Sequence, residues 1–354
     1  MAPSHKLPVA ILGATGAVGQ RFITLLANHP WFEIAVLTGS ERSIGRRYGD
    51  VVHWVLDRAP PAAVADLVVQ PTETVADVPV AFSALPTEHA REAETRWATA
   101  GVAVCTNASP FRMHEQVPLL VPEVNADHIQ LVEQQRSKLG WRGCIVANAN
   151  CATATLVMPL KPLHQAFGVE KVIVTTLQAI SGAGYPGVAS LDILDNIIPN
   201  IANGGEEHKL ETESCKILGS YNGEGIGFAP ITLSANVTRV PVIDGHTAVV
   251  SVGLKQHASV EAAAEVLREF RGPAVVQGLP TAPPEPLSLR TEQDRPQPRR
   301  DRDLYGGMGT TVGRLRPCPL FDLKFVTLSH NTIRGAAGGA ILNAELLVAE
   351  GIVA

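Results

Sequence analysis

Cysteine is scarce in this 354-residue chain: Cys105, Cys144, Cys151, Cys215 and Cys318 are odd in number and irregularly spaced. That pattern argues against a disulfide framework and a CxxC metal knuckle, so no bound metal is expected, and at least one thiol is free. Aromatic residues make up only 5% and the formal charge is −5, with no sustained basic stripe, so the electrostatic footprint of a nucleic-acid partner is missing. The basic run around Arg295 to Arg302 is short, broken by proline and mixed with aspartate, which reads as a solvated loop. No window approaches the roughly 18 to 20 uninterrupted apolar residues that a membrane span requires. The opening MAPSHKLPVAILG turns directly into a strand without a cleavage pattern. The expectation is a cytoplasmic protein with no membrane partner.

What is there is 45% hydrophobic and 18% charged, enough for a large core divided more naturally between two domains than held in one. From Leu7 to about Asn150, the β-like runs LPVAILG, FEIAVLTG, ADLVVQ, VPVAFSAL, GVAVCTNA and CIVANAN alternate with helical stretches that include 17–28, 87–100 and 125–138. Several of these runs are apolar throughout, which predicts an α/β domain: a doubly wound, Rossmann-type parallel sheet covered on both faces. After Cys151 a helix at about 152–166 precedes longer β runs at 171–181, 231–242 and 246–254. They predict an α+β domain whose mixed or antiparallel sheet carries helices on one face. Residues 273–320 hold most of the clustered prolines and read largely as an irregular excursion. A strand, FDLKFVTLSH, then leads to a long final helix with apolar spacing on one face, a candidate to pack back on the first domain. The expected division is 1–150 plus 331–354 for a dinucleotide-binding unit and 151–330 for a catalytic and dimerisation unit.

In VAILGATGAVGQRF, Gly13, Gly16 and Gly19 follow the first strand and open a helix. Glycine permits close backbone approach there, and free N–H groups with the helix dipole attract a pyrophosphate, so Gly13, Thr15, Gly16, Ala17 and Val18 are candidate cofactor contacts. The second strand ends in LTGSERSIGRR, where Ser40, Arg42 and Ser43 offer a clasp for a 2′-phosphate and Glu41 is the only nearby acid. That favours NADP over NAD.

Cys151, in NANCATATLVMPL, follows a strand and opens an apolar helix. A thiol at a helix N-terminus feels the positive end of the dipole, so its pKa is expected to fall and a nucleophilic thiolate to become available. Cys105 and Cys144, in or beside β runs, read as small buried hydrophobes. A nucleophile needs a proton partner, and the best placed is His246 in NVTRVPVIDGHTAVV. Arg239 stands seven residues earlier, with a proline and an Asp-Gly turn between. A strand, a turn and a further strand would bring both to one sheet end, where Arg239 would bind a carboxylate and His246 move a proton. On spacing alone, an interface ion pair and a turn cap explain these two residues equally well.

Taken together, GATGAVGQ, NASPFRM (107–113), NANCAT (148–153), LQAISGAGYPG (177–187), GGEEHK (204–209), TRVPVIDGHT (238–247) and SHNTIRGAAGGAILNAELL occur in an order and over a span that resemble aspartate-β-semialdehyde dehydrogenases, specifically the fungal and archaeal branch. The resemblance implies NADPH-dependent reduction of β-aspartyl phosphate to the semialdehyde, with phosphate release, through a cysteine thioester. It implies Cys151 as nucleophile, His246 as acid/base and Gln178 as a positioning group. Arg239 would take the substrate carboxylate, Glu207 the ammonium with Glu206 as the alternative, and Lys209, Arg112 and Asn107 the phosphate. Ser83, Leu85, Ser181, Gly182, Asn331 and Gly335 would join the cofactor contacts. His208 departs from the acid expected there. A homo-oligomer, dimer or tetramer, is also implied. The rivals are an N-acetyl-γ-glutamyl-phosphate reductase, a malonyl-CoA reductase and a catalytically inactive NADP-binding sensor. Glu207 with Arg239, which implies a free ammonium beside a carboxylate, speaks against the first, the lack of an obvious CoA segment against the second, and the intact set Cys151, Gln178, Arg239 and His246 against the third.

Overall fold

The computed structural model describes residues 2–353. The first seven strands are β1 (Leu7–Leu12), β2 (Phe32–Gly39), β3 (Gln70–Pro71), β4 (Val80–Ser83), β5 (Ala103–Thr106), β6 (Leu119–Leu120) and β7 (Cys144–Asn148). They form one sheet in the order β3-β2-β1-β4-β5-β7-β6, with every pairing parallel. Every residue of β4, β5 and β7 is buried; helices cover both faces, so these strands read as apolar runs rather than alternating ones. From β1 the chain adds β2 and β3 outward on one side, and from β4 it adds β5, β7 and the edge strand β6 on the other. The connections therefore diverge between β1 and β4 and leave a crevice at the strands' carboxyl ends, the place where such sheets bind ligands.

ADLVVQ contributes less than its composition predicts. Only Gln70–Pro71 pairs as a strand, with an isolated bridge between Arg47 and Val68. Lying at the sheet's edge, this run has a ladder partner on one side only. The stretch predicted helical over 125–138 is a 3₁₀ turn, Ala126–Gln130, followed by an α-helix, Leu131–Leu139.

The second sheet contains β8 (Val169–Gln178), β9 (Ile198–Pro199), β12 (Thr232–Arg239), β13 (His246–Leu254), β14 (Leu287–Leu289), β15 (Thr310–Pro317) and β16 (Leu323–Ser329), and a separate hairpin holds β10 (Ser220–Tyr221) and β11 (Ile226–Gly227). Its order is β14-β15-β16-β13-β8-β12-β9, and its pairings are mixed: β12 is parallel to β8, while β13 is antiparallel to both β8 and β16. Helices Cys151–Phe167, Gly205–Ile217 and Val260–Glu269 lie against one face, and the opposite face leaves Ile173, Leu177 and Val249 exposed. Residues 273–320 are not simply an excursion, because β14 and β15 lie within them and β15 pairs with β16 over most of its length. The prolines flank this strand, with Pro286, Pro296 and Pro298 before it and Pro317 at its end, so the ladder is spared although the window's composition signals a loop.

The C-terminal segment packs against the parallel sheet, but not as an amphipathic surface helix. A π-turn, Ile333–Ala337, runs into the α-helix Gly338–Ala349, whose first eleven residues, Gly338 to Val348, are all buried. This helix packs on β4, β5 and β7 and on helix Ala17–Leu26; it is enclosed by protein on all sides, and its buried Glu345 is satisfied by His29 and the Thr281 N–H. At its start the Arg334 guanidinium makes a two-pronged bond to Glu123, at 2.7 and 2.8 Å, with both side chains 1% exposed. Arg334→Met strands the Glu123 carboxylate in the core and is expected to cost about 3–5 kcal/mol by denaturant titration, with Glu123→Leu added to it recovering part of the loss. A loss below about 1 kcal/mol would show that the pair does not hold this junction. Among the described residues, no helix is long and apolar enough to cross a membrane.

Candidate active site

The site is built on the junction of β7 and helix Cys151–Phe167. Asn150 caps that helix: its side-chain oxygen accepts from the N–H groups of Ala152 at 3.0 Å and Thr153 at 3.4 Å. Its amide nitrogen donates to Glu206 at 2.8 Å. Asn148 braces the next layer by donating to the Asn107 side chain at 2.9 Å and to the Ala336 carbonyl at 3.1 Å. Cys151 is thereby fixed at the first helical position, with Gly335 pressed against it: a Cβ at Gly335 would lie 2.6 Å from that of Cys151.

Sγ of Cys151 stands 3.2 Å from Nε2 of His246. The Ala179 N–H donates to Nδ1 of the same ring at 3.1 Å, so the neutral imidazole carries its proton on Nε2, toward the sulfur. Burial, with the charges of Arg239 and His330, pulls His246 down to about 3 and keeps it neutral. Burial also pushes Cys151 up to about 12, reinforced by the Glu206 carboxylate and opposed by Arg112, Arg239 and the Ala152 N–H. The expected thiol activation by the helix terminus is thus outweighed by desolvation. Because alkylation requires the thiolate and the raised pKa lies above the assay range, the iodoacetamide rate at Cys151 should climb about tenfold per pH unit from 7 to 9. A plateau already reached at pH 7 would contradict this.

Gln178 and Arg239 are register partners at the carboxyl ends of the parallel strands β8 and β12. His246 opens β13, which runs antiparallel to β8, so three residues from three strands meet at one sheet edge. The expected hairpin between Arg239 and His246 does not form: β8 lies between β12 and β13. Arg239 donates to the Ala179 carbonyl at 2.7 Å, and Gln178, 1% exposed, bonds Thr176 at 3.3 Å. Gly182 closes over this pair, since a Cβ there would meet Arg239 at 2.8 Å and the His246 ring at 3.0 Å.

Helix Gly205–Ile217 supplies the facing wall. Glu206 accepts from Asn150 and from Lys209 Nζ, the latter at 2.6 Å. Burial disfavours its charge, yet Lys209, Asn150 and Arg112 together hold its carboxyl below the ordinary range. Glu207 is turned one residue round the helix and accepts from the Val237 N–H at 3.3 Å. Of the two acids it is therefore Glu206, not the preferred Glu207, that reaches the thiol's surroundings, and His208 is exposed to solvent. Arg112, 8% exposed, donates to Glu213 at 3.1 Å and to the Asn107 carbonyl at 2.7 Å. Glu213 escaped sequence reasoning; the acid seven residues after Glu206, on the same helical face, was the available signal.

At the β1/β4 crevice, Gly13 has φ +79°, and a Cβ there would approach the Ala84 carbonyl oxygen to 2.9 Å. Thr15, Gly16, Ala17 and Val18 line the opening of helix Ala17–Leu26, whose first-turn N–H groups have no intrahelical acceptor. This cradle fits a pyrophosphate. Ser40 and Arg42 are exposed at its far end. Ser43 departs from expectation: its hydroxyl is buried and closes the turn by donating to the Ser40 carbonyl at 2.8 Å. The Ser83 hydroxyl likewise turns inward, to Glu94 at 2.7 Å, leaving Leu85 as the half-buried side chain of that loop. Asn331 bonds Ser181 and the Gly245 N–H, both at 2.8 Å, and so ties the Ser181–Gly182 loop to the C-terminal segment.

Residues 8–132 match the family model of the semialdehyde dehydrogenase NAD binding domain, and residues 160–334 that of the semialdehyde dehydrogenase dimerisation domain. The chain is 49% identical to the aspartate-semialdehyde dehydrogenase of Archaeoglobus fulgidus, over 98% of this chain and 100% of that one. It is 44% identical to the Saccharomyces cerevisiae enzyme of the same name, over 98% and 99%. The crystal structure of aspartate-semialdehyde dehydrogenase with NADP from Candida albicans superposes with a TM-score of 0.90 at 44% identity, covering 98% of this chain and 99% of that one. A likeness this extensive, carried by both matched domains and over nearly the full length, places the chain in the aspartate-semialdehyde dehydrogenase family.

Proposed function

We propose that this protein catalyses the reversible, NADPH-dependent reductive dephosphorylation of L-4-aspartyl phosphate to L-aspartate 4-semialdehyde, in biosynthesis of the aspartate family of amino acids. The observation that carries the reading is the Cys151–His246 contact at 3.2 Å, set among groups that match each charge of the substrate. Arg239 takes the α-carboxylate, Glu206 the ammonium, and Arg112, Lys209 and Asn107 the phosphate. The sulfur attacks the acyl carbon, the S–C bond forms, the C–O bond to phosphate breaks, and the thiol proton leaves with the phosphate. The Gly13–Val18 cradle would hold the pyrophosphate of NADPH and Ser40 and Arg42 its 2′-phosphate, and the bound cofactor would supply the hydride that reduces the acyl carbon. The C–S bond would then break, freeing the aldehyde, with the Nε2–H of His246 hydrogen-bonding the sulfur as charge returns to it and a proton from solvent restoring the thiol. Gln178 orients the acyl group beside Cys151.

Residues 1–150 with 331–354 act as the cofactor-holding unit, and 151–330 as the catalytic and dimerising unit. The open face of the second sheet, with Ile173, Leu177 and Val249 exposed, supports a homo-oligomer formed through that unit, as dimer or tetramer. The test is an initial-rate assay with aspartate semialdehyde, phosphate and NADP or NAD. Turnover with NADP is expected; turnover of N-acetylglutamate semialdehyde with none of aspartate semialdehyde would overturn the assignment.

A further inference from the structure

Glu213 is 1% exposed and bonds both the Arg112 side chain and the turn before Cys151. Its Oε1 accepts from Arg112 Nη1 at 3.1 Å, and its Oε2 accepts from the backbone N–H of Asn150, one residue before the nucleophile, at 2.7 Å. The same helix face carries Glu206, Lys209 and Lys216, at spacings that place all four side chains in one stripe. Lys216 donates to the carbonyls of Arg112 at 2.8 Å, and of His114 and Val117 at 2.9 Å. The backbone and the guanidinium of Arg112 are therefore both referenced to one helix, and through Glu213 that helix is tied to the turn bearing Cys151.

We infer that Glu213 is a positioning residue that sets where the phosphate-binding guanidinium stands relative to the attacking sulfur. This rests on the reading of Cys151 as nucleophile and Arg112 as phosphate ligand. The chemistry requires a carboxylate, because both partners are donors and each oxygen serves one of them. An amide of the same shape presents one oxygen and one NH₂, so Glu213→Gln sets donor against donor on one side and releases either Arg112 or the Asn150 turn. The Nε of Arg112 is buried without a hydrogen-bond partner among the described residues, so Glu213 and the Asn107 carbonyl are what fix this guanidinium.

The test compares wild type with Glu213→Gln in the oxidative direction, varying phosphate and semialdehyde separately. The KM for phosphate should rise at least about tenfold, the size of a lost charge-assisted bond, while the KM for semialdehyde stays within about twofold. A second readout needs no turnover: the phosphate concentration that half-protects Cys151 from iodoacetamide should rise by the same factor. Glu213→Asp keeps the charge but falls short by one methylene, and should give a smaller shift in the same direction; it also serves if the glutamine variant does not fold. An unchanged phosphate KM and unchanged protection in a folded variant would overturn the inference, as would parallel losses in both KM values and kcat. Absence of phosphate-dependent turnover in wild type would instead overturn the functional reading, leaving the protection measurement to judge Glu213.

Discussion

Cys151→Ala is expected to bind NADP within about twofold of wild type and to lose phosphate-dependent oxidation of aspartate semialdehyde by more than about 10⁴-fold. No other group at the site can form the S–C bond, and removing the nucleophile of a covalent mechanism costs losses of this order. Cofactor binding should survive because the Gly13–Val18 cradle lies at the β1/β4 crevice, built by elements other than the Cys151 turn. Asn150 still caps the helix through Ala152 and Thr153, so the substitution removes one atom from an otherwise held turn. Fluorescence titration with NADPH alongside initial rates checks both halves. Turnover within tenfold of wild type would remove the thioester from the mechanism.

His246→Asn is expected to lower kcat by roughly 10²–10⁴-fold while the KM for semialdehyde changes little. The asparagine oxygen can occupy the place of Nδ1 and keep accepting from the Ala179 N–H, but nothing then reaches the position of Nε2, 3.2 Å from the sulfur. The loss should fall on the steps in which charge on the sulfur changes. Because burial, Arg239 and His330 hold the native ring at about 3, no limb of the wild-type rate profile near pH 6 should belong to its protonation. Its ionised form would appear only as pH falls toward 3, well below the working range. A kcat limb near pH 6 that vanishes in His246→Asn, or an effect confined to KM, would defeat this assignment.

Both domains were legible in the sequence where local pattern and tertiary role coincide. The apolar runs of β1, β4, β5 and β7 are strands because helices cover both faces of a parallel sheet, and their lack of alternation says so directly. GATGAVG after such a strand is a local requirement: at Gly13 the chain needs φ +79° and passes the Ala84 carbonyl with no room for a Cβ. β15 was hidden because its ladder partners, Leu287–Leu289 and Leu323–Ser329, are supplied by other parts of the chain, while flanking prolines dominate the local composition. The final helix looked amphipathic, yet it is enclosed on all sides because β4, β5, β7 and helix Ala17–Leu26 close around it.

By itself, the sequence determined which residue types the chemistry can use: a thiol at a helix start, an imidazole, an arginine for a carboxylate and a glycine turn for a pyrophosphate. Those are properties of side chains and of local backbone, and they are present before folding. Only the tertiary structure decided which acid lies beside the Cys151 turn, since Glu206 and Glu207 differ by about 100° round a helix and it is Glu206 that bonds Asn150 while Glu207 bonds the Val237 N–H. It also decided that Arg239 and His246 meet by flanking β8 rather than across a hairpin. Finally, it placed the reactive pair where burial disfavours charge on both groups. The helix terminus that argues for a thiolate in Cys151 lies inside a buried junction, and there the cost of desolvating charge exceeds the pull of the dipole.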